Sequence, residues 1–292
     1  AQEYAAQVIF GGIAAKGKLP VSIPGLYYAG TGIFTEKTRL GYHQPEEVGA
    51  NPDRLDVIES IVKEGLDEKA YPGCQVLVAK DGMIIYNKSF GYFDYESRQP
   101  VTEASVYDLA SASKAAGTLL AVMKAYDEKK FTLNNKISDF IPELKESLYH
   151  QSGVTPTINF YLDAIDKDSY KGSLYSSAKN ATHPVRFDAK TYVRNDFKYL
   201  PDIVSDTRKP GFTTEVARNF YVSDSFKDTI LQDIKKSRLG TRGRYVYSCV
   251  NFIMLKMMVE NLMKSPMAPL IRDDFYSGLG AWHTTYNPLH RM

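Results

Sequence analysis

Apolar positions recur along the chain with two periods, and these set the expected elements. After Asn51-Pro52, the residues Leu55, Ile58, Val62 and Leu66 mark one face of a helix that ends near Tyr71-Pro72-Gly73. Asn51 is a good N-cap and Pro52 a good first helical residue. Two strand-like runs follow, CQVLVAK and MIIYNKSFGY, joined by Asp81-Gly82, which is a strong hairpin signal. Beyond the loop ESRQPVTEAS a helix is expected from about Ser111 to Lys129, with Leu119, Leu120, Val122, Met123 and Tyr126 forming a wide apolar stripe. Helix, hairpin and helix in this order predict an α+β fold, with helices on a mainly antiparallel sheet.

The flanking stretches are less periodic. Ala5 to Ile23 reads as a short apolar helix broken at Gly11-Gly12, followed by a strand-like LPVSI. Pro24-Gly25 opens a Gly-, Tyr- and Thr-rich segment up to Gly49 that reads as a surface linker. Gly30-Thr31-Gly32 within it lacks a third glycine and opens no helix, so it is no dinucleotide site. From about Gly153 to Tyr245 the chain is polar, tyrosine-rich and full of turn signals, with one credible helix between Ser225 and Ser237; this reads as an insertion. A last helix is expected over roughly Ser248 to Lys264, carrying Phe252, Leu255, Met258 and Leu262. No further element is expected before Met292.

Composition narrows the classes. With 292 residues, 43% of them hydrophobic and 24% charged, the chain can form one large domain or two small ones. No apolar run reaches the roughly 18 residues of a membrane span. The 36 basic and 34 acidic residues give a net charge of +2 with no basic block, so no nucleic-acid partner is expected. Cys74 and Cys249 are far apart and form no metal or redox spacing, although a single disulfide between them stays open. His43, His150, His183, His283 and His290 show no HxH, HExxH or Cys/His clustering, so neither a metal nor another cofactor is expected. P-loop and GxSxG patterns are missing too. No basic stretch followed by an apolar one opens the chain, so no signal peptide is expected within it.

The remaining chemistry lies in S-x-x-K. It occurs three times, at Ser60/Lys63, Ser111/Lys114 and Ser176/Lys179, and placement separates them. Ser60 sits mid-helix and Ser176 in a polar loop, whereas Ser111 falls where the strand-rich region gives way to an apolar helix. A serine in the first turn of a helix meets unpaired N–H groups and the positive end of the macrodipole. Both favour the oxyanion formed when a serine attacks a carbonyl. Lys114 would project from the same face one turn on, and burial would lower its pKa enough for it to accept the serine proton. Ala110, Ala112, Ala115, Ala116 and Gly117 leave room beside the serine. The plainer alternative is a capping serine followed by a solvated lysine. Ser113 points away from the Ser111–Lys114 face.

At this point a resemblance appears. DLASASKAAGTLLAVMKAYDEKKFTLNNKISDFIPEL resembles the nucleophile helix and following segment of serine β-lactamases and penicillin-binding-protein-like hydrolases, nearest to class C β-lactamases, related esterases and D-alanyl-D-alanine peptidases. PGCQVLVAKDGMIIYNKSFGY is similar to their first hairpin, and LYHQSGV to their His-x-Ser-Gly turn. RYVYSCVNFIML resembles their Tyr-x-Asn motif, with Tyr247 in the tyrosine position. The resemblance covers Asn51 to about Val154 and Tyr245 to Met292. It implies a β-lactamase/transpeptidase-like α+β fold with an antiparallel sheet, flanking helices and a helical region. It also implies a covalent acyl-enzyme: Ser111 as nucleophile, Lys114 as base and Tyr247 as proton relay, on peptidoglycan-type peptides, β-lactams or simple esters.

Two departures from the family pattern bear on that expectation. Cys249 replaces the Asn of Tyr-x-Asn, so a weak thiol donor stands where the family's amide contacts lysine and substrate. It is also a small residue suited to packing at a helix start. The family's third motif, Lys-Thr-Gly or His-x-Gly on a later strand, does not follow Tyr247. The expectation is therefore a domain lacking its last strands and nearly inactive as it stands, with a binding module of the same fold as the alternative. AAQVIFGGIAAKGKLPVSI is similar to the end of the C-terminal domain of family 3 glycoside hydrolases. The organisation expected is thus a tail (1–24), a linker (25–50) and a hydrolase domain (51–292) with an insertion over about 155–245. A glycosidase fusion implies cell-wall turnover, in the periplasm or outside the cell.

Overall fold

Asp81 and Gly82 take φ of 51° and 73°, so both central residues of the expected hairpin turn are left-handed. That is the geometry whose twist suits two adjoining strands, and Gly adopts it without a Cβ penalty. The turn joins β2 (Gly73–Lys80) to β3 (Met83–Gly91), antiparallel from Lys80 opposite Met83 to Gly73 opposite Gly91, with an irregularity at Val78/Ala79. In this computed structural model, which describes residues 2–96, 98–144, 153–188, 190–238, 240 and 246–286, the chain forms two compact units, 1–108 and 109–292.

The first unit is built on that hairpin. α1 (Gln2–Ile9) is tied through Gln7 to β1 (Gly41–Tyr42): Gln7 Nε2 donates to the Tyr42 carbonyl at 3.0 Å, and Tyr42 N–H donates back to Oε1 at 2.8 Å. β1 pairs parallel with β3, so the sheet order is β1-β3-β2 and one of its pairings is not antiparallel. The stretch read as a linker therefore supplies a strand near its end. α2 (Pro52–Asp67) starts as expected, with the Asn51 side chain accepting from Asp53 N–H at 2.8 Å. Val62 is its buried residue, while Val57 and Ile61 on the other face are exposed. LPVSI forms no strand; Ile23 makes only an isolated bridge to Tyr27, and Val21 is 64% exposed. Pro20 within this run and Pro24 just after it withhold N–H groups that a ladder needs.

The second unit begins at the long helix expected from Ser111, and the backbone there is not α-helical. Ala110 has φ of 42°, which stops a helix from running in. A 3₁₀ turn (Ala110–Ala112) is followed by a π-helix (Lys114–Leu119), and only then by α3 (Leu120–Asp127). The expected α-helix from Ser111 is thus corrected to three kinds of turn in succession. Ala115, Ala116 and Gly117 permit this, because small side chains tolerate a widened turn.

The insertion holds short strands: β4 (Ile165–Asp166), β5 (Tyr175–Ser176), β6 (Val185–Arg186), β7 (Tyr192–Val193), β8 (Lys198–Tyr199), β9 (Val204–Ser205), β10 (Thr214–Ala217) and β11 (Phe220–Val222). They form small antiparallel sheets ordered β5-β7-β6, β10-β11-β9 and β4-β8. α4 (Phe226–Lys236) and α5 (Cys249–Met263) match the expected helices. On α5 the buried positions are Val250, Met254, Met258 and Val259; of the expected row Met258 is buried and Leu255 and Leu262 pack partly covered against the core, whereas Phe252 does not join it. An apolar residue stands on nearly every side of α5, so its sequence does not single out a face. An unexpected α6 (Met267–Ile271) runs into a second π segment, Arg272–Tyr276. Pro269 hides this helix in the sequence, yet it lies in the first turn, where its missing N–H has no intrahelical partner to lose.

These elements enclose one apolar core of Ala121, Ile141, Leu144, Val154, Ile234, Val250, Met254, Met258, Val259, Met267, Leu270, Ile271 and Tyr276. Ile271 is fully buried in it. Ile271→Ala is expected to cost about 2–5 kcal/mol, read as a shift of the urea midpoint of the second unit's unfolding; a loss below about 1 kcal/mol would contradict this packing.

Candidate active site

The site is assembled from two segments far apart in sequence. Ser111 lies in the 3₁₀ turn and Lys114 opens the π-helix. Tyr247 precedes Ser248, which caps α5 by accepting from Asn251 N–H at 3.1 Å. α3 and α5 pack together, and Ala121 of the one and Val250 and Met254 of the other belong to the same buried core. That packing carries Tyr247 to the serine: Tyr247 Oη lies 2.8 Å from Ser111 Oγ. Lys114 Nζ donates to the same Oγ at 3.0 Å. Three of the expected residues therefore meet at one oxygen.

Ala110, immediately before the serine, holds its positive φ at a cost on the order of 1–3 kcal/mol. The strained residue and the turn after it leave Ser111 exposed, and Tyr247 is 52% exposed. Lys114 is half-buried. Its ammonium sits over the Tyr247 ring at 5.1 Å from the centroid and over the Phe252 ring at 6.0 Å. The sequence suggests Phe252 only as part of an apolar helix face; in the fold its ring is a cation–π partner of the lysine.

The electrostatics reverse one expectation. Lys114 is held above the ordinary lysine value, first by its hydrogen bond with Tyr247 and against a smaller loss from burial; Cys249 adds to the rise. Tyr247 is held below the ordinary phenol value, first by Lys114 and then by the hydrogen bond with Ser111. Burial sufficient to neutralise Lys114 is not present, because the lysine is only half covered and has acceptors beside it. The pair thus favours an ammonium next to a phenol that ionises readily, and a neutral lysine base is corrected to a charged lysine.

Cys249 is the first residue of α5, with its N–H donating to the Pro156 carbonyl at 2.9 Å. Its side chain is half-buried and near enough to act on Lys114. Both cysteines are free thiols.

The other two S-x-x-K pairs assemble nothing. Lys63 is exposed and paired with Asp67, and Ser60 lies on the solvated side of α2. Ser176 donates to the Ala178 carbonyl within its own loop, and Lys179 is exposed. His150 and Ser152 of the expected His-x-Ser-Gly turn lie outside the described residues, as do Arg244 and Tyr245 before the tyrosine motif. Among the described residues no helix is long and apolar enough to cross a membrane.

Comparison with known proteins bears on this arrangement. A family model described as Beta-lactamase matches residues 58–157, which include Ser111 and Lys114. A protein of Escherichia coli (strain K12) named "Putative D-alanyl-D-alanine carboxypeptidase" is 26% identical over 254 residues, covering 84% of this chain and 50% of that protein. A protein of the same name from Salmonella gallinarum is 25% identical over the same shares. The chain spans about half the length of the curated relatives it matches. Among solved structures, the octameric penicillin-binding protein homologue from Pyrococcus abyssi aligns with a TM-score of 0.49 at 20% identity, over 77% of this chain and 43% of that one. EstCE1, a hydrolase with promiscuous acyltransferase activity, aligns with a TM-score of 0.44 at 19% identity, over 76% and 50%. Residues 58–157 thus resemble the Beta-lactamase family, and the chain's helices with small, mainly antiparallel sheets place it in the α+β class.

Proposed function

We propose that this protein is a serine hydrolase that works through a covalent acyl-enzyme on Ser111. The observation carrying this reading is the shared contact at Ser111 Oγ, 3.0 Å from Lys114 Nζ and 2.8 Å from Tyr247 Oη. In the proposed step, Tyr247 as phenolate takes the serine proton while Oγ attacks a carbonyl carbon. Lys114 stays an ammonium and stabilises the phenolate. The new phenol then gives its proton to the leaving amine or alkoxide as that bond breaks. Water repeats the sequence on the acyl-serine ester and frees the acid. The Ser111 backbone N–H is proposed as one donor to the oxyanion. The substrates proposed are peptidoglycan-type peptides, β-lactams or simple esters, in keeping with the carboxypeptidase name of the relatives, and a cell-wall substrate would put the work outside the cytoplasm.

A second reading has its own support. Cys249 stands where the resembling family has an amide, and a thiol is a poor hydrogen-bond donor. A module that binds or acylates without turning over would result. The two readings part at deacylation, because only the hydrolase releases the adduct.

Intact-mass measurement after a fluorescent penicillin or a fluorophosphonate tests the first step. A single adduct mapping to Ser111 is expected, lost in Ser111→Ala and retained in Ser60→Ala and Ser176→Ala. An adduct that survives Ser111→Ala would sink the assignment.

The pH dependence follows from the two shifts. Tyr247 ionises below the ordinary phenol value, so acylation should rise with pH along an acid limb set by this group. Lys114 keeps its proton to above the ordinary lysine value, so the cation persists across that rise. In Lys114→Met the limb should move up towards the free phenol value of about 10. A limb that does not move would mean that Lys114 does not stabilise the phenolate.

Restoring the amide provides a further check. Cys249→Asn adds a hydrogen bond of about 0.5–1.5 kcal/mol, and acylation should quicken by roughly 2- to 10-fold. An unchanged rate would mean that position 249 does not touch the reacting groups.

A further inference from the structure

The direction of Lys114 depends on the turn it opens. Lys114–Leu119 is a π-helix between the 3₁₀ turn and α3. A π turn holds one residue more than an α turn, and such segments concentrate at functional sites. Removing that extra residue would rotate Lys114 by about 100° against the buried face of α3. The ammonium would then leave Ser111 and Tyr247. The π-helix is thus a condition of the site, and something must hold it against relaxing to an α-helix.

Two tyrosines from the end of the described chain lie against it. Tyr276, buried in the core at the end of the second π segment, donates from its hydroxyl to the Ala116 carbonyl at 2.8 Å. Ala116 is the third residue of the π-helix. A carbonyl oxygen has two lone pairs, so it can take this donor in addition to a helix N–H. A buried phenol requires a partner, which makes the contact specific as well as stabilising. At the next residue, a Cβ on Gly117 would overlap the Tyr286 hydroxyl, whose ring carbon Cζ would be 2.9 Å away. The π-helix therefore has a hydrogen bond on one carbonyl and a ring pressed on the adjoining glycine. Lys124 strengthens the same junction, pairing with Glu128 at 2.8 Å and Asp274 at 3.6 Å.

We propose that Tyr276 is a positioning residue: its hydroxyl on the Ala116 carbonyl fixes the π turn that sets Lys114 against Ser111 and Tyr247. It touches none of the reacting atoms and acts through Lys114. The proposal rests on the acyl-transfer reading for its consequence in rate, but its structural content can be measured without any turnover.

The test is a double-mutant cycle on the whole chain with Tyr276→Phe and Lys114→Met. The ionisation of Tyr247 is followed by NMR of ring-labelled tyrosine, its signal identified by loss in Tyr247→Phe. The groups facing Tyr247 in this readout are Lys114, Ser111 and Cys249. Tyr276→Phe should raise the Tyr247 midpoint towards that of Lys114→Met, and it should add nothing in the Lys114→Met background. Acylation by a fluorophosphonate should slow by about tenfold, the equivalent of about 1.4 kcal/mol, with its acid limb moved the same way. A lower unfolding midpoint with the Tyr247 titration unchanged would reduce Tyr276 to a core residue and overturn the proposal. Equal shifts in both backgrounds would overturn it as well, since the effect would not pass through the lysine. If the wild-type chain forms no adduct, the acyl-transfer reading fails, while the NMR cycle still decides whether Tyr276 positions Lys114. Gly117→Ala, which displaces the π turn from the Tyr286 side, should shift the Tyr247 midpoint in the same direction; no shift in that folded variant would also count against the proposal.

Discussion

Everything at the site depends on how closely α3 and α5 approach. Ala121 presents only a methyl group to the core and is fully buried. Val250 and Met254 of α5 belong to the same buried core, and neither has a polar atom that needs satisfying. A larger residue at 121 would push α5 outward, and Tyr247, just before that helix, would move with it. Hydrogen bonds between hydroxyls fade within a few tenths of an ångström beyond about 3 Å. The packing of two apolar faces thus bears on the distance between Tyr247 Oη and Ser111 Oγ.

With that distance fixed, charge determines what each side chain does. Lysine and tyrosine placed side by side alter each other: the ammonium favours the phenolate, and the electron-rich ring and oxygen favour the ammonium. Neither shift needs deep burial, which suits a pair that stands open to solvent. An exposed cation–phenol pair feels salt more than a buried one, so ionic strength tunes how far the two values are driven apart.

Much of this is legible from residue order. The Asn51 cap, the α2 face through Val62 and the Asp81-Gly82 hairpin are local, each decided by neighbours within a turn or two, and each forms as its pattern implies. Ser111, Lys114 and Tyr247 are legible through motif spacing, and they do converge. Other features depend on contacts that spacing cannot express. The π-helix depends on Tyr276 and Tyr286, more than 150 residues away in sequence. The charge state of Lys114 depends first on its hydrogen bond with Tyr247, which lies far along the sequence. The buried face of α5 is illegible because apolar residues surround the helix, so only its partners determine which of them are covered. β1 has two residues and no alternation to detect; its pairing is directed by Gln7, far back along the chain.

The contact between Tyr247 and Ser111 spans 136 residues of sequence, and this has a bearing on when the site comes into being. A ribosome adding about 5–20 residues per second makes Ser111 about 7 to 27 seconds before Tyr247 exists. A hairpin such as β2–β3 needs on the order of microseconds. During translation, therefore, the serine spends its first seconds without its phenol, and the lysine beside it has no ring to face. Contacts of such high sequence separation also form late in refolding, since the intervening loop must close first. The contact between Tyr247 and Ser111 is for this reason a property of the finished fold, withheld from the nascent chain by topology alone.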